Sequence, residues 1–455
     1  MEQKDPYIIQ LEQENAYLRS QLLELTEKLS VLLSSKVVAK DSHNSSLPPS
    51  LDKPSVKSKR TQSRRKTSGR KSGGQKGHQG KTLDFSGLPD QIEALRVYYC
   101  RTCGTDLAGA EAIYHSRRQV FDVILPKTSC IEYRAYSCIC PICGTKNVAD
   151  YPLQVQAPVQ YGAQVGSLVS YFSHYQFIPY QRLQKLFSDV FDLSLSQGSI
   201  SNLLSKMGQK STWVCEQIKG QLSKSKVVGS DETGVNVNGK NQWIWVWQDS
   251  KNTLLTASPS RGRKVVAQMW QQGLPQAVLV SDRWASQVKT PSAGKQLCLA
   301  HLQRDIQYLQ ESETAIFATD FAKWLDKVWQ AKKQSVQREK PYLPTDLQAL
   351  DLEMELNQLL LYPIDKEKHK LTAIFQRSMC KYRDYLLTTL YHLEVPADNN
   401  ASERAIRNVK VKQKVSALFK SGQQDFCAIR SVIDTAIKRG KNILITLFDV
   451  YRYAT

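Results

Sequence analysis

The stretch KVVGSDETGVNVNGKNQWIWVWQDSKNTLLTA, residues 226–257, decides the fold. It opens with a short apolar run from Lys226 that ends in acids at Asp231. It continues through Gln242-Trp-Ile-Trp-Val-Trp-Gln248 to Thr253-Leu-Leu-Thr-Ala257. Runs rich in β-branched and aromatic residues read as strands. Asn238-Gly239 between the first two runs is a strong hairpin signal, because both residues tolerate the left-handed backbone of a tight turn. Downstream the pattern gives a helix at about 263–272, the strand Ala277 to Asp282, and another strand at Leu297-Cys-Leu299.

The order β-β-β-α-β-(α)-β, with acids closing the first and fourth strands, is the ribonuclease-H-like layout. Residues 223–310 supply most of this mixed-sheet domain, and residues 395–440 complete it with a returning helix from Ala401 to Val415. Between them, 311–394 read as an all-helical insertion: Phe317 to Gln334, Asp346 to Leu361 and Leu371 to Tyr391 carry apolar residues at helical spacing. Residues 441–455 form a tail or final helix.

Upstream the chain divides into four more units, so the expected fold class is multidomain α/β. Residues 151–222 are helical in pattern. Leu183, Leu186, Phe187, Val190 and Phe191 form a stripe, and Ser196 stands as N-cap of a short second helix bearing Gln197, Ser199 and Asn202. A helix-turn-helix that reads DNA and a plain helical connector both fit. Residues 91–150 hold Cys100-Arg-Thr-Cys103 and Cys140-Pro-Ile-Cys143, each followed by glycine. Two such pairs suit one structural Zn²⁺ in a zinc-ribbon-like domain. The 36 residues between them are long for a ribbon. A hairpin of Gln119 to Leu125 with Cys130 to Tyr136 would close the distance, and Cys138 is an alternative to Cys140 as ligand.

Residues 36–90 lack periodicity and read as a disordered basic linker. Residues 53–81 hold eleven basic residues and no acid, among them Arg64, Arg65, Lys66, Arg70 and Lys71. Such a tract tracks phosphates without reading bases; its bland alternative is a solvated linker. Residues 1–35 place Ile8, Leu11, Asn15, Leu18, Leu22, Leu25, Leu29 and Leu32 at alternating steps of three and four. This is a coiled-coil seam whose buried Asn15 favours a parallel homodimer, although a single packed helix fits the same pattern.

Charge narrows the partner. The chain is 455 residues long with 62 Lys+Arg against 42 Asp+Glu, a net charge of +20. Most of the excess lies in 53–81 and in 403–441, which points to double-stranded DNA. No apolar run reaches the roughly 18 residues of a membrane span, and MEQKDPY has no leader-like apolar core. A cytoplasmic, nucleoid-associated protein with no membrane partner is expected.

Asp231 and Asp282 fall at neighbouring strand ends, and Glu403 begins the returning helix. Three converging carboxylates require cations, and hard oxygen donors select Mg²⁺ or Mn²⁺, two ions for phosphoryl transfer. Arg407, Lys410 and Lys414 follow Glu403 on one helix face, with Arg404 beside it, as a grip on the DNA backbone. Ala405, Ile406 and Val409 form the face suited to the sheet. Glu232 and Asp305 are competing acids.

In chain order, HNSSLPPS (43–50), SGRKSGGQKGHQGKTL (68–83), RQVFDV (118–123), GSDETG (229–234), SDRW (281–284), CLAHLQRD (298–305) and NNASERAIRNVKVKQK (399–414) resemble the motifs of transposases of insertion-sequence family sixty-six, in the DDE superfamily. The resemblance implies a DDE triad at Asp231, Asp282 and Glu403, a zinc-binding domain, a helical insertion before the final acid, and cleavage and joining of transposon ends. Cys298 and His301 match the family's C-x-A-H segment and are read as supporting the site. Lys412-Gln413-Lys414 stands where the family often has Arg-Lys-Asn. Accessory proteins of the same element are possible partners. Two rival functions are a catalytically inactive DNA-binding regulator and a nuclease or resolvase that cuts DNA without joining it.

Overall fold

The computed structural model describes residues 85–111, 113–121, 128–143, 145–416 and 419–453, with 14, 15, 17–22, 25, 39–41, 44 and 45 near the start. The basic tract with Arg64, Arg65, Lys66, Arg70 and Lys71 lies outside the described residues, as do Ile8, Leu11, Leu29 and Leu32 of the seam. Asn15, Leu18, Leu22 and Leu25 are helical and exposed.

At the centre is a five-stranded mixed sheet built from β3 (Val227–Val237), β4 (Lys240–Gln248), β5 (Thr253–Ser258), β6 (Leu274–Ser281) and β7 (Ser292–Leu297), in the order β5-β4-β3-β6-β7. β3, β4 and β5 form an antiparallel meander, while β6 and β7 run parallel to β3. The β3–β4 turn uses Asn238 and Gly239 at φ +48° and +78°, as the sequence signal requires. Alternation along β4 separates two faces. Trp245 and Trp247 pack with Ile218 and Leu222 of the long helix α3 (Gln197–Leu222) and with Trp270 after α4 (Arg263–Met269). Ile244 and Val246 pack with Ala405, Ile406 and Val409 of α11 (Asn400–Ser416) and Phe426 of α12 (Gln423–Lys438). The apolar face expected of the returning helix therefore sits on the sheet. At about 25 cal/mol per Å² of apolar surface removed from water, these two layers are the main source of the domain's stability.

The edge strand β5 is covered by α12. Ser431 and Thr435, one turn apart on that helix, accept from the amides of Leu255 (2.8 Å) and Thr253 (3.0 Å), and Gln424 donates to the Ala257 carbonyl (2.8 Å). Backbone groups that would otherwise template another strand are thus satisfied within the chain.

Several expected boundaries move. β3 continues six residues beyond Asp231 to Val237, so this acid lies inside a strand and not at its end. The last expected strand is shifted N-terminally, to Ser292–Leu297; Cys298 is the cap of helix α6 (Leu299–Ser312). Leu299, Leu302, Ile306 and Leu309 in α6 have helical spacing and are buried. The helical region contains α7 (Ile316–Gln337) and α8 (Leu347–Leu361), but its third expected helix is broken into α9 (Lys370–Lys381), a turn of 3₁₀ helix (Arg383–Tyr385) and α10 (Thr388–Tyr391). The break falls where Arg383 turns to Glu353 (2.9 Å) and Asn357 (2.9 Å) of α8. All these helices share one core around Phe317, Phe321, Trp324 and Met379.

Before the sheet, α1 (Ala163–Ser170), a π-helical turn (Tyr171–Tyr175), α2 (Tyr180–Phe191) and the first half of α3 pack with α12 and the final helix α13 (Ile443–Tyr453). Ser196 caps α3 by accepting from the Ser199 amide at 2.9 Å, as expected, but α3 has 26 residues and is not short. Its second half is needed to cover the sheet. The first two strands, β1 (Ser137–Ile139) and β2 (Lys146–Val148), form a small hairpin around the second cysteine pair. The hairpin expected within the spacer is absent among the described residues: 113–121 and 128–136 carry no regular strand, and 122–127 lie outside them.

Candidate active site and cysteine knuckles

The parallel register between β3 and β6 sets the first two acids. Gly229 pairs with Val280 at the last recorded position, two residues before Asp231 within β3 and two before Asp282, which follows the end of β6. Asp282 leaves the sheet there and accepts from the Trp284 amide at 2.8 Å. The Asp231 carboxylate accepts from the Glu232 amide at 2.9 Å. Burial, then Asp282 and Glu232, and more weakly Glu403, push the Asp231 carboxyl well above its usual range. That ordering places Glu403 within electrostatic reach of Asp231, but with less influence on it than the other acids.

Glu403 lies in the first turn of α11, where the helix dipole favours an anion. Arg304 of α6 donates to it at 3.4 Å. His301, also on α6, has Nε2 3.7 Å away; burial and Arg304 lower its pKa to about 4, so this is a contact of a neutral ring and not an ion pair. Cys298 is buried, its thiol pushed up to about 12, and its sulfur accepts from the Asn399 amide at 3.2 Å. Both residues thus shape the approach to α11.

Asn399 is the residue whose part was not legible in the sequence. Its side chain donates to the Ser230 carbonyl (2.6 Å) and accepts from Ser402 (2.6 Å), and Gln248 donates to Ser402 (3.3 Å). This network ties the start of α11 to β3 next to Asp231. It needs Gly229 in GSDETG: a Cβ there would lie 2.4 Å from Gln248 Nε2 and 2.9 Å from Asn399 Oδ1. Asn399→Ala leaves the Ser230 carbonyl buried without this donor and should destabilise the domain by about 1–3 kcal/mol. The start of α11 loses its tether to β3, so the thermal midpoint should fall accordingly. An unchanged midpoint would remove Asn399 from this part.

The competing acids are engaged elsewhere. Glu232 is held by Arg261 (2.5 Å) and Gln287 (2.7 Å), with Arg261 stacked 3.6 Å from the Trp284 ring and 4.8 Å from that of Trp243. Asp305 pairs with Arg283. On α11, Arg404, Arg407 and Lys414 are exposed, but Lys410 is half-buried and donates to the Gly234 carbonyl at 2.6 Å. Lys410 therefore braces β3 and is not a freely extended contact.

The two cysteine pairs form matching turns. The amide of Cys100 donates to Thr105 and that of Cys140 to Thr145, at 2.8 and 2.9 Å. Hydrogen bonds with Thr105 and Thr145 lower the thiols of Cys103 and Cys143 to about 7. Among the described residues no three or more His, Cys, Asp or Glu side chains are gathered closely enough to hold a metal ion, and this holds for Asp231, Asp282 and Glu403 as well as for the cysteines. The four cysteines stand as two half-sites. In donor chemistry each half-site, with one thiol poised to ionise, fits Zn²⁺, and the buried carboxylates fit Mg²⁺ or Mn²⁺.

A five-stranded mixed sheet faced by a helix whose outer side is basic is compatible with a transposase catalytic domain, and the family match implies a DNA-processing enzyme of the DDE superfamily. The particular family is given by a family model, Transposase IS66 family, which matches residues 158–424, more than half of the chain; the protein belongs to that family. Residues 2–84 match a second model, a family of unknown function (DUF6444). No curated protein matches the chain. No helix among the described residues is long and apolar enough to cross a membrane.

Proposed function

We propose that the protein binds the ends of its own mobile element and catalyses phosphodiester cleavage and strand transfer on an RNase-H-like domain. Asp231, Asp282 and Glu403 form its acidic site. The observation that supports this reading is the β3–β6 register, whose last pair, Gly229 with Val280, lies two residues before Asp231 and Asp282, while Asn399 at the start of the Glu403 helix donates to the Ser230 carbonyl.

Two divalent cations, when bound, would activate the attacking oxygen and stabilise the leaving one. The chain's own residues do the rest. Asp231 and Asp282 offer carboxylate oxygens from adjoining positions, and Arg304 orients Glu403. Arg404, Arg407 and Lys414 lie along α11 where a phosphate backbone can be gripped, and the basic tract 53–81 adds contacts that carry no base specificity. In the cleavage step water attacks phosphorus, releasing a 3′-hydroxyl and leaving the 5′-phosphate; in the joining step that hydroxyl attacks a target phosphodiester, forming a new link to the target's 5′-phosphate and displacing the target strand's own 3′-hydroxyl. The cysteine knuckles are proposed to close around one Zn²⁺, and the N-terminal seam to pair two copies and so two DNA ends.

An end-joining assay on duplexes carrying the element's termini tests the reading. Joined products are expected with Mg²⁺ or Mn²⁺ and none with chelator. Cleavage that never yields joined product would favour the nuclease alternative, and DNA binding with neither reaction the inactive regulator.

A further inference from the structure

Ala39, Lys40, Asp41, Asn44 and Ser45, in and just before the HNSSLPPS motif, have no part in the chemistry above, yet they are seated against α6. Asn44 is 2% exposed and Ser45 8%. The segment is folded on itself: the Asp41 amide donates to Asn44 Oδ1 at 2.8 Å, and the Asn44 amide donates back to Asp41 Oδ1 at 3.2 Å. This reciprocal turn leaves the Asn44 side-chain amide to donate to the Ala39 carbonyl (3.2 Å) and, 267 residues along the chain, to Glu311 Oε2 of α6 (2.7 Å). The other Glu311 oxygen accepts from Gln307 at 2.9 Å, which aims the carboxylate. One turn earlier, Lys40 lies 4.9 Å over the Tyr308 ring. A charge-assisted hydrogen bond, a cation–π contact and a buried turn make a built interface.

We propose that Lys40, Asp41, Asn44 and Ser45 form an intramolecular docking clip and that the Tyr308–Glu311 face of α6 is its receptor. Its position gives it a purpose. α6 also carries His301 and Arg304, which face Glu403, and Glu311 lies about 10 Å along the helix from Arg304. Pinned at Ser45, the chain reaches Lys53, the first residue of the basic tract, within at most about 28 Å. The clip thus confines the start of the DNA-contacting tract to the neighbourhood of the acids. Confinement raises the local concentration of one DNA-binding element beside another, which strengthens binding without new contacts. This role rests on the proposed DNA-processing reading; the docking itself does not.

Two measurements on the full-length protein test the clip. In hydrogen exchange, the amides of Asp41 and Asn44 should be protected in the wild type. They should exchange at least about tenfold faster in Glu311→Ala, which removes a charged acceptor. Glu311→Gln keeps an acceptor oxygen and should retain protection. In duplex-DNA binding at fixed salt, Glu311→Ala should weaken affinity by about tenfold while Glu311→Gln does not. Both variants delete one negative charge, which alone would tighten DNA binding, so a loss confined to the alanine variant cannot come from charge. Rapid exchange in the wild type, or protection indifferent to Glu311→Ala, overturns the docking. Protection that depends on protein concentration would place a second copy's segment on the face and overturns the intramolecular clip. Unchanged DNA affinity overturns the confining role. Failure of the catalytic reading would show separately, as wild-type protein that binds DNA and never cleaves it.

Discussion

Asp231→Asn is expected to reduce DNA cleavage and joining by about 10³-fold or more while leaving DNA affinity within about twofold. The asymmetry follows from where the side chain sits. Asp231 is half-buried within β3, and among the described residues its carboxylate accepts one hydrogen bond, from the neighbouring amide of Glu232. An asparagine fits the same space and can still accept that bond, so the fold should survive. In fact burial and three neighbouring acids all oppose ionisation of this carboxyl, so removing its charge should not destabilise the protein. What is lost is an anionic oxygen donor to a hard cation, worth several kcal/mol of transition-state stabilisation. Glu403→Gln should behave similarly, with one difference. Arg304 loses its ionic partner, so a stability change of up to about 1 kcal/mol is expected for this half-exposed pair. The comparison to make is single-turnover cleavage against thermal midpoint and DNA binding. An Asp231→Asn protein that joins ends at the wild-type rate would end the assignment, whereas one that unfolds would leave Asp282→Asn to decide it.

The sheet was legible because its signals are local and strong. The tryptophans of β4 alternate with Ile244 and Val246, the Asn238-Gly239 turn fixes the hairpin register, and the acid-bearing motifs lie at the ends of apolar runs. Less was legible where structure depends on distant polar contacts. Asn399 bonds a carbonyl 169 residues away, and Arg261 is held between two tryptophans against Glu232; neither leaves a periodic trace in the chain. The position of β7 was misjudged because Leu297-Cys-Leu299 is apolar at a spacing that a strand and a helix start share. Lys410 shows a related limit: charge and spacing suggested an outward stripe, but the long side chain reaches back to cap β3 at Gly234. In the cysteine region, 85–160, no apolar side chain among the described residues is fully buried, and Leu88, Leu95, Ile142 and Leu153 are at least 90% exposed. In metal-binding domains without a core, metal binding can supply the folding energy, so a site of that kind is not fixed by local pattern alone.

The largest expected loss of stability lies away from the acids, at Arg430 and Asp434 of α12. These two form a fully buried ion pair one helical turn apart. Arg430 also donates to the His174 carbonyl in the π-helical turn at 3.1 Å and lies 5.6 Å over the Phe177 ring, whose backbone is left-handed at φ +57°. The pair therefore fastens the helical bundle before the sheet to the helix that covers β5. Its satisfaction is incomplete: Arg430 Nε and Asp434 Oδ2 find no hydrogen-bond partner among the described residues. Burial accordingly pushes the guanidinium down and the carboxyl up, each against the pull of the other. Removing one partner strands the other charge in a medium that cannot solvate it, so Asp434→Ala should cost about 3–5 kcal/mol. The double replacement Arg430→Met with Asp434→Leu removes both charges and keeps most of the volume. It should cost far less than either single change, because the desolvation penalty vanishes with the pair. A thermal-unfolding double-mutant cycle measures the difference. If Asp434→Ala shifts stability by under about 1 kcal/mol, the charges are solvated in a way this packing does not provide. If the double variant is as unstable as the single one, the His174 bond, and not the ion pair, holds the two layers together.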